Sequence, residues 1–182
     1  MSMNFHKGLM ASEVIPTQLV SGVYYVSTTA TAVGDGALVV VGDLMAHDVY
    51  ASTTDLNVHK VTAPAALTDR VAVVDYVGVP TGAIGDNQYR VGYATYGLQV
   101  PAGTVTRVRR LSLDDTYWTD ADNFATAPTV GQYATATAGT VQYTPAATVP
   151  SSGFCVKIEA SKPVTTGTVN SSTEYLCTVV QL

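Results

Sequence analysis

From Leu19 to the C-terminus, short apolar runs alternate with turn residues at a spacing of roughly 8–15 residues, which is the pattern of an all-β sandwich or barrel. Valine and threonine together make up about 30% of the chain, and both are β-branched residues that favour pleated strands over helices. No convincing amphipathic helix interrupts this pattern. The sequence therefore predicts an all-β chain that folds as a single β-sandwich or a partly open β-barrel.

Each predicted strand is an apolar run bounded by turn residues. The predicted strands are residues 19–27, 37–44, a hairpin-like pair around Val49 and Val58, and then 70–79, 88–92, 104–111, 116–118, 154–160 and 174–182. The alanine-rich residues 62–69 can form one helical turn at most.

The chain divides into an arm and a β domain. Residues 1–18 carry no hydrophobic period, so they are predicted to form an extended N-terminal arm, and residues 19–182 form the β domain. Within that domain, residues 125–153 contain no charged side chain and are rich in Ala, Thr, Gly and Pro. This segment is interpreted as a loop-rich insertion or surface segment that could lie against a partner subunit.

The charge of the chain argues against nucleic acid as a partner. Nine Lys and Arg stand against fourteen Asp and Glu, for a net charge of −5, whereas nucleic-acid binding needs a basic surface. The basic residues cluster only at 107–110 (RVRR). On a strand, Arg107 and Arg109 point to the same side, and we expect them to pair with the acidic stretch that follows, within the protein or across a subunit contact.

Neither a membrane span nor a disulfide framework is indicated. The N-terminal residues lack the long apolar region of a secretory signal, and the longest purely aliphatic run, residues 37–41, is far too short to cross a bilayer. The expected site of synthesis is the cytoplasm, where thiols stay reduced. Whether Cys155 and Cys177 could meet across a hairpin depends on the strand register.

The sequence offers no strong catalytic or metal-binding motif. His6, His47 and His59 do not have the spacing of a zinc site, and neither a G-x-S-x-G elbow nor a phosphate-binding glycine loop is present. The densest acidic group surrounds Tyr117 and Trp118, and its members are Asp114, Asp115, Asp120 and Asp122. It is interpreted first as a solvated turn, with a weak cation site or a sugar site as alternatives. We therefore expect no enzyme activity, no catalytic residue, no metal and no cofactor.

Four stretches spread over nearly the full length resemble small structural proteins of tailed bacteriophages. They are residues 7–27, 33–44, 61–80 and 167–182. The resemblance is to capsid decoration (cement) proteins, which are β-rich, often trimeric, and bind the major capsid protein on the outside of the shell. It implies a virion protein on the capsid exterior that is made in the host cytoplasm and forms a homo-oligomer, with a trimer favoured. It implies neither a cofactor nor a catalytic residue.

A decoration protein needs surfaces that match a lattice, and two parts of this chain are candidates for them. The predicted capsid-contact residues are apolar or aromatic and lie in the arm or in segment 125–153: Phe5, Leu9, Ile15, Val130, Tyr133, Val141 and Tyr143. One alternative is a tail, collar or fibre-attachment component in low copy number. Another is a carbohydrate-binding module that uses four aromatic residues, Tyr24, Tyr25, Tyr117 and Trp118.

Overall fold

The described residues form two large β-sheets that pack face to face and a small two-stranded sheet. A computed structural model describes residues 19–26, 29–30, 33–34, 36–46, 54–75, 99–100, 106–166 and 170–182. Nearly all of the regular structure is β, and the described residues include no α-helix. The predicted all-β fold class, a sandwich or partial barrel, is confirmed.

The strands are numbered in chain order. They are β1 (Leu19–Val26), β2 (Thr29–Ala30), β3 (Val33–Gly34), β4 (Leu38–Ala46), β5 (Thr54–Thr62), β6 (Val71–Val74), β7 (Gln99–Val100), β8 (Thr106–Arg110), β9 (Thr116–Asp120), β10 (Tyr133–Thr135), β11 (Thr144–Ala146), β12 (Cys155–Thr166) and β13 (Asn170–Gln181). A short 3-10 helix, Ala121–Asn123, follows β9. Strands β3 and β7 pair only with each other among the described residues.

The first sheet curls back on itself. Its strand order is β2-β1-β5-β4-β6-β8, and β1 pairs with β8 as well, so five of its strands form a ring. The β1–β5 pair is parallel and the other pairs are antiparallel. We call it the curled sheet. Small aliphatic residues fill its inside: Val33, Ala37, Val39, Val61, Ala72, Val74 and Val108.

Gly22 on β1 shows how tightly the inside of the curled sheet is packed. A Cβ atom at this position would lie 2.7 Å from Cγ2 of Val61 and 3.1 Å from Cγ2 of Val108. Real Cβ atoms essentially never approach a heavy atom to within 3.0 Å. Glycine is therefore the residue that lets β1 close against β5 and β8 at this level.

The second sheet is antiparallel, with the order β11-β10-β12-β13-β9. Alternation along β4 and β6 turns Leu38, Val71 and Val73 away from the inside of the curled sheet. These three side chains pack instead with the second sheet, in one buried cluster that contains Tyr117, Phe154 and other residues. This cluster is the main core of the protein, and it holds the two sheets together.

Buried tyrosine hydroxyls link the two sheets at Gly36. The Tyr143 hydroxyl is hydrogen-bonded to the Gly36 carbonyl oxygen at 3.1 Å and to the Tyr117 hydroxyl at 3.0 Å. The Thr119 hydroxyl also donates to the Gly36 carbonyl, at 3.4 Å. Gly36 has a φ of 77°, a conformation that glycine adopts without steric cost. Because buried hydroxyls need partners, this network fixes how β9 and residue 143 sit against the curled sheet.

Most predicted strands within the described residues are present, with shifted ends. The predicted run 70–79 contains β6, which covers only Val71–Val74, and the predicted strand 88–92 lies outside the described residues. Residues 62–69 form the end of β5 and a turn, not a helix, in which the Asp69 carboxylate accepts hydrogen bonds from the backbone N–H groups of Ala65 and Ala66. The short strands β10 and β11, whose positions the sequence did not define, fit the interpretation of residues 125–153 as a loop-rich surface segment. They lie within 125–153, a segment that also places Tyr143 in the core.

The two cysteines are free and buried. Strands β12 and β13 do form an antiparallel pair, but the register sets Cys177 opposite Ile158 and Cys155 opposite Gln181. The thiols are therefore not cross-strand partners, and the alternative of a disulfide across this hairpin is ruled out.

Candidate functional site

A rigid turn presents Val130 at the surface. The Gln132 N–H donates to the Thr129 carbonyl at 3.0 Å, and Gly131 has a φ of 91°, which together define a type II turn with Val130 at its tip. Two hydrogen bonds hold the turn to Ile158 of β12 in the second sheet. The Gly131 N–H donates to the Ile158 carbonyl, and the Ile158 N–H donates to the Gln132 carbonyl, both at 2.8 Å. The side chain of Val130 is 48% exposed. An aliphatic side chain is thus held at a fixed position outside the sheet.

The other predicted contact residues of segment 125–153 are less accessible. Tyr133 is half-buried on β10, and Val141 is half-buried against the interior cluster of the curled sheet. Tyr143 is fully buried, and its ring packs 5.0 Å from that of Phe124. The prediction that Tyr143 contacts a partner is therefore corrected, because its side chain belongs to the core and cannot reach a partner in the folded protein.

The arm prediction lies outside the described residues. Phe5, Leu9 and Ile15 all fall within residues 1–18, of which the structure describes none. The arm and its three contact residues stay predictions.

Arg107 and Arg109 face the same side of β8, as predicted, but their partner is Asp75. The Asp75 carboxylate is buried at the end of β6 and receives Nη2 of Arg107 at 3.0 Å and Nη2 of Arg109 at 2.9 Å. Strand β6 pairs with β8, and this places residue 75 opposite residue 107. The expected pairing with the following acidic stretch inside the chain is therefore wrong for these two arginines.

The acidic stretch uses its carboxylates for turns. Asp115 accepts a hydrogen bond from the Ser112 N–H at 2.8 Å, and Asp120 accepts one from the Asp122 N–H at 2.9 Å at the start of the 3-10 helix. Asp114 is exposed and has a φ of 67°, a conformation that aspartate tolerates better than most residues. In the described part of the chain, no group of three or more His, Cys, Asp or Glu side chains could hold a metal ion.

The histidine and cysteine side chains show no nucleophile arrangement among the described residues. Nδ1 of His59 lies 2.8 Å from the Gly42 carbonyl oxygen, to which it donates, while His6 and His47 lie outside the described residues. Burial raises the pKa of the Cys177 thiol far above its usual range, and it also raises the pKa of Cys155. A buried thiol of this kind is inert, because the reactive form is the thiolate.

Tyr117 and Trp118, the two described members of the aromatic set suggested for carbohydrate binding, do not share a surface. Tyr117 is buried in the core, whereas Trp118 is half-buried, so alternation along β9 separates the two. Nζ of Lys162 lies 4.0 Å from the centre of the Trp118 ring and 3.0 Å from the Glu174 carboxylate. The face of the indole is thus covered by a lysine of the same chain. The side chains of Tyr24 and Tyr25 are outside the described part.

Comparisons with known proteins identify no relative. No family model, no curated protein and no solved structure matches the chain. In the part of the chain that the structure describes, no helix has the length and apolar character needed to cross a membrane.

Two features of the site were missed because they depend on residues far apart in the sequence. Asp75 lies in a predicted strand, and nothing local marks it as the partner of Arg107 or of Arg109, which is 34 positions away. The position of Tyr143 depends on a contact with Gly36, 107 positions away. One available signal was that Gln142 and Tyr143 follow a run of small residues, where a large aromatic side chain is a candidate for the core.

Proposed function

We propose that this chain is a structural virion protein that binds the outside of a phage capsid and stabilises it as a decoration, or cement, protein. Its partners would be the major capsid protein and further copies of itself, with a trimer favoured by the resemblance described above. The observation that carries the proposal is the Val130 turn, an aliphatic side chain held rigidly outside a segment without charged residues.

The chemistry of that segment suits a lattice contact. Protein–protein interfaces are depleted of charged residues at their centre, and residues 125–153 contain none. The turn is tied to β12 by main-chain hydrogen bonds, so little conformational entropy is lost when it docks. Even a weak contact of this kind becomes effective when many copies bind neighbouring sites of one shell.

Co-sedimentation with capsids tests the proposal directly. Purified protein is mixed with shells of the major capsid protein from the same source, and bound copies per particle are counted on a quantitative gel. We expect hundreds of copies at a fixed ratio to capsid subunits, by analogy with decoration proteins. A dozen copies or fewer would instead favour a tail, collar or fibre-attachment component, and no binding would reject both structural roles.

Two variants of the same assay locate the contact. We expect Val130→Asp to lower capsid binding at least about tenfold, since a charge would be desolvated at an apolar contact. Val149→Asp is the matched control, because Val149 is a loop valine of the same segment with 41% exposure that is not in the predicted contact set. Binding by Val130→Asp that equals that of Val149→Asp and of the unchanged protein would remove Val130 from the contact.

Deletion of residues 1–15 tests the arm separately. The truncated chain is expected to keep its β domain folded and to lose capsid binding, which circular dichroism and co-sedimentation report independently. Undiminished binding by the truncated chain would show that the arm makes no contact.

A further inference from the structure

Strands β12 and β13 continue beyond the rest of the second sheet. Strand β10 pairs with β12 only at residues 155–157, and β9 pairs with β13 only at residues 174–178. From the pair Pro163–Thr173 to the pair Thr166–Asn170, the two strands pair with each other and with no third strand among the described residues. We call residues 163–166 and 170–173 the ribbon. An isolated two-stranded ribbon is only marginally stable and exposes two edges of main-chain groups.

Among the described residues, no strand pairs with the outer edge of the β13 half beyond Glu174, and we call residues 170–173 of that side the open edge. Val179 exchanges hydrogen bonds with Asp114 and Asp115, on the β9 side of β13, at 2.9 Å each. Main-chain direction alternates along a strand, and the β9–β13 register contains no shift. Every second residue before Val179 therefore points its N–H and C=O groups to the same side. Thr173 and Ser171 belong to this set, and both lie past Glu174, the last residue that pairs with β9.

The outer edge of the β12 half is interrupted by a proline, and we call it the blocked edge. Pro163 is paired with Thr173, whose main-chain groups point away from β12, so the nitrogen of Pro163 points away from β13 as well. Proline has no N–H to offer at that edge, and edge positions are where strands accept it. Thr165, the cross-strand partner of Ser171, points its main-chain groups to this same blocked edge.

The ribbon and the turn between its strands carry no charge, and this suits a contact with a second copy of the chain. Residues 163–173 contain no charged side chain, while the flanking Lys162 and Glu174 form an ion pair with each other at 3.0 Å. In a two-fold contact the same surface patch is used on both subunits, so a charge within a short paired segment would face its own copy at close range. An uncharged edge avoids this repulsion. We propose that the open edge at residues 170–173 pairs antiparallel with the same edge of a second copy of this chain, across a two-fold axis.

The blocked edge explains why such pairing would stop at two copies. A ribbon with two open edges could add further copies without limit, which is the route to fibres. Pro163 takes one N–H from the β12 edge, so the β13 edge keeps the fuller set of donors and is the preferred pairing surface of the ribbon. The contact is much smaller than a standard interface, so the dimer is expected at high protein concentration and not at low concentration. This two-fold dimer differs from the trimer that the resemblance favours, and the sedimentation experiment below distinguishes the two. Capsid binding is tested separately by co-sedimentation.

Two proline variants of cross-strand partners test the inference. Ser171→Pro removes an N–H from the open edge, and Thr165→Pro removes one from the blocked edge. Because both N–H groups point away from the partner strand, neither change removes a hydrogen bond between β12 and β13. Sedimentation velocity is measured from micromolar to millimolar protein, with circular dichroism to confirm folding. We expect the unchanged protein and Thr165→Pro to form dimers with similar dissociation constants, and Ser171→Pro to weaken the dimer at least tenfold.

A second pair of variants distinguishes edge pairing from damage to the ribbon. Ser171→Lys sets a charge near the same charge across the two-fold axis and should weaken the dimer more at low salt than at high salt, whereas Thr165→Lys should not. Equal effects at the two positions would overturn the inference. The inference would also be overturned if the unchanged protein stayed monomeric at millimolar concentration, since the edge would then be left to another partner. It would be overturned as well if the unchanged protein formed only trimers.

Discussion

Two glycines with nearly the same backbone conformation differ in what surrounds them, and this difference predicts the effect of replacing them. Gly153 has a φ of 87° and Gly139 a φ of 79°. Both glycines lie beside the loop between β5 and β6. The Gly139 N–H donates to the Pro64 carbonyl at 2.7 Å, and next to Gly153 the Phe154 N–H donates to the Leu67 carbonyl at 3.4 Å. A Cβ at Gly153 would lie 2.0 Å from the Leu67 carbonyl oxygen, whereas a Cβ at Gly139 would meet nothing within 4 Å.

The two substitutions therefore share one cost and differ in another. A positive φ costs a non-glycine residue about 1–2 kcal/mol, so Gly139→Ala is expected to lower the free energy of unfolding by about that amount. In Gly153→Ala, the Leu67 carbonyl must also retreat by about 1.4 Å to reach ordinary contact distance. Overpacking costs about 1–3 kcal/mol and a weakened hydrogen bond to Phe154 about 1 kcal/mol, so the difference between the variants should be about 2–4 kcal/mol.

Urea unfolding measures this difference. Trp118, the single tryptophan of the chain, lies on β9 and reports the loss of the second sheet by fluorescence. Equal m-values for the two variants are the control that the transitions are comparable. If Gly139→Ala and Gly153→Ala lose the same free energy of unfolding, the close approach of Leu67 to Gly153 does not exist and the reasoning is refuted.

Three further predictions concern the core. Gly22→Ala should destabilise the curled sheet by about 1–3 kcal/mol in the same assay, because its Cβ would overlap Val61, and a change of less than about 0.5 kcal/mol would contradict the packing described above. Burial raises the pKa values of Tyr117 and Tyr143 well above their usual value, so the folded state holds these protons more tightly than the unfolded state. The contribution of these two tyrosines to stability should then be constant below about pH 10 and be lost above it, so the fall in stability above pH 10 should be less steep in Tyr143→Phe, as measured by urea unfolding against pH. Finally, the thiol of Cys177 should react with an alkylating reagent only on unfolding, as mass spectrometry would show, and rapid labelling of the native protein would contradict its burial.

The strands could be predicted from the sequence because their signal is local. Runs such as LVSGVYYV and VAVV carry enough β-branched residues to define β1 and β6 without knowledge of their neighbours. The short strands β10 and β11 lack that signal, since YAT and TPA form strands only because β12 provides a template beside β10. Strand ends and the order of strands were beyond prediction for the same reason.

The arginine side chains show which part of a site is local and which is not. Alternation along β8 is a local property, so the shared face of Arg107 and Arg109 was predicted. Their partner was expected from the nearest acidic residues in the sequence, but the β6–β8 pairing brings Asp75 to both of them, across 34 positions in the case of Arg109. A buried carboxylate is retained where charged donors satisfy it, and only the topology decides which donors those are.

The two proposed contacts lie on the same sheet but use different elements, so they should be separable. The Val130 turn is tied to β12 at Ile158, whereas the ribbon begins five residues further along β12, past the end of β10. We expect Val130→Asp to lower capsid binding without changing the self-association constant. We expect Ser171→Pro to weaken self-association of the isolated protein. On capsids, Ser171→Pro should bind individual sites with normal affinity and lose only the gain that linked copies provide, seen as faster dissociation at low occupancy. If either substitution changes both measurements equally, the two surfaces act as one contact, and the separation between lattice binding and self-association is wrong.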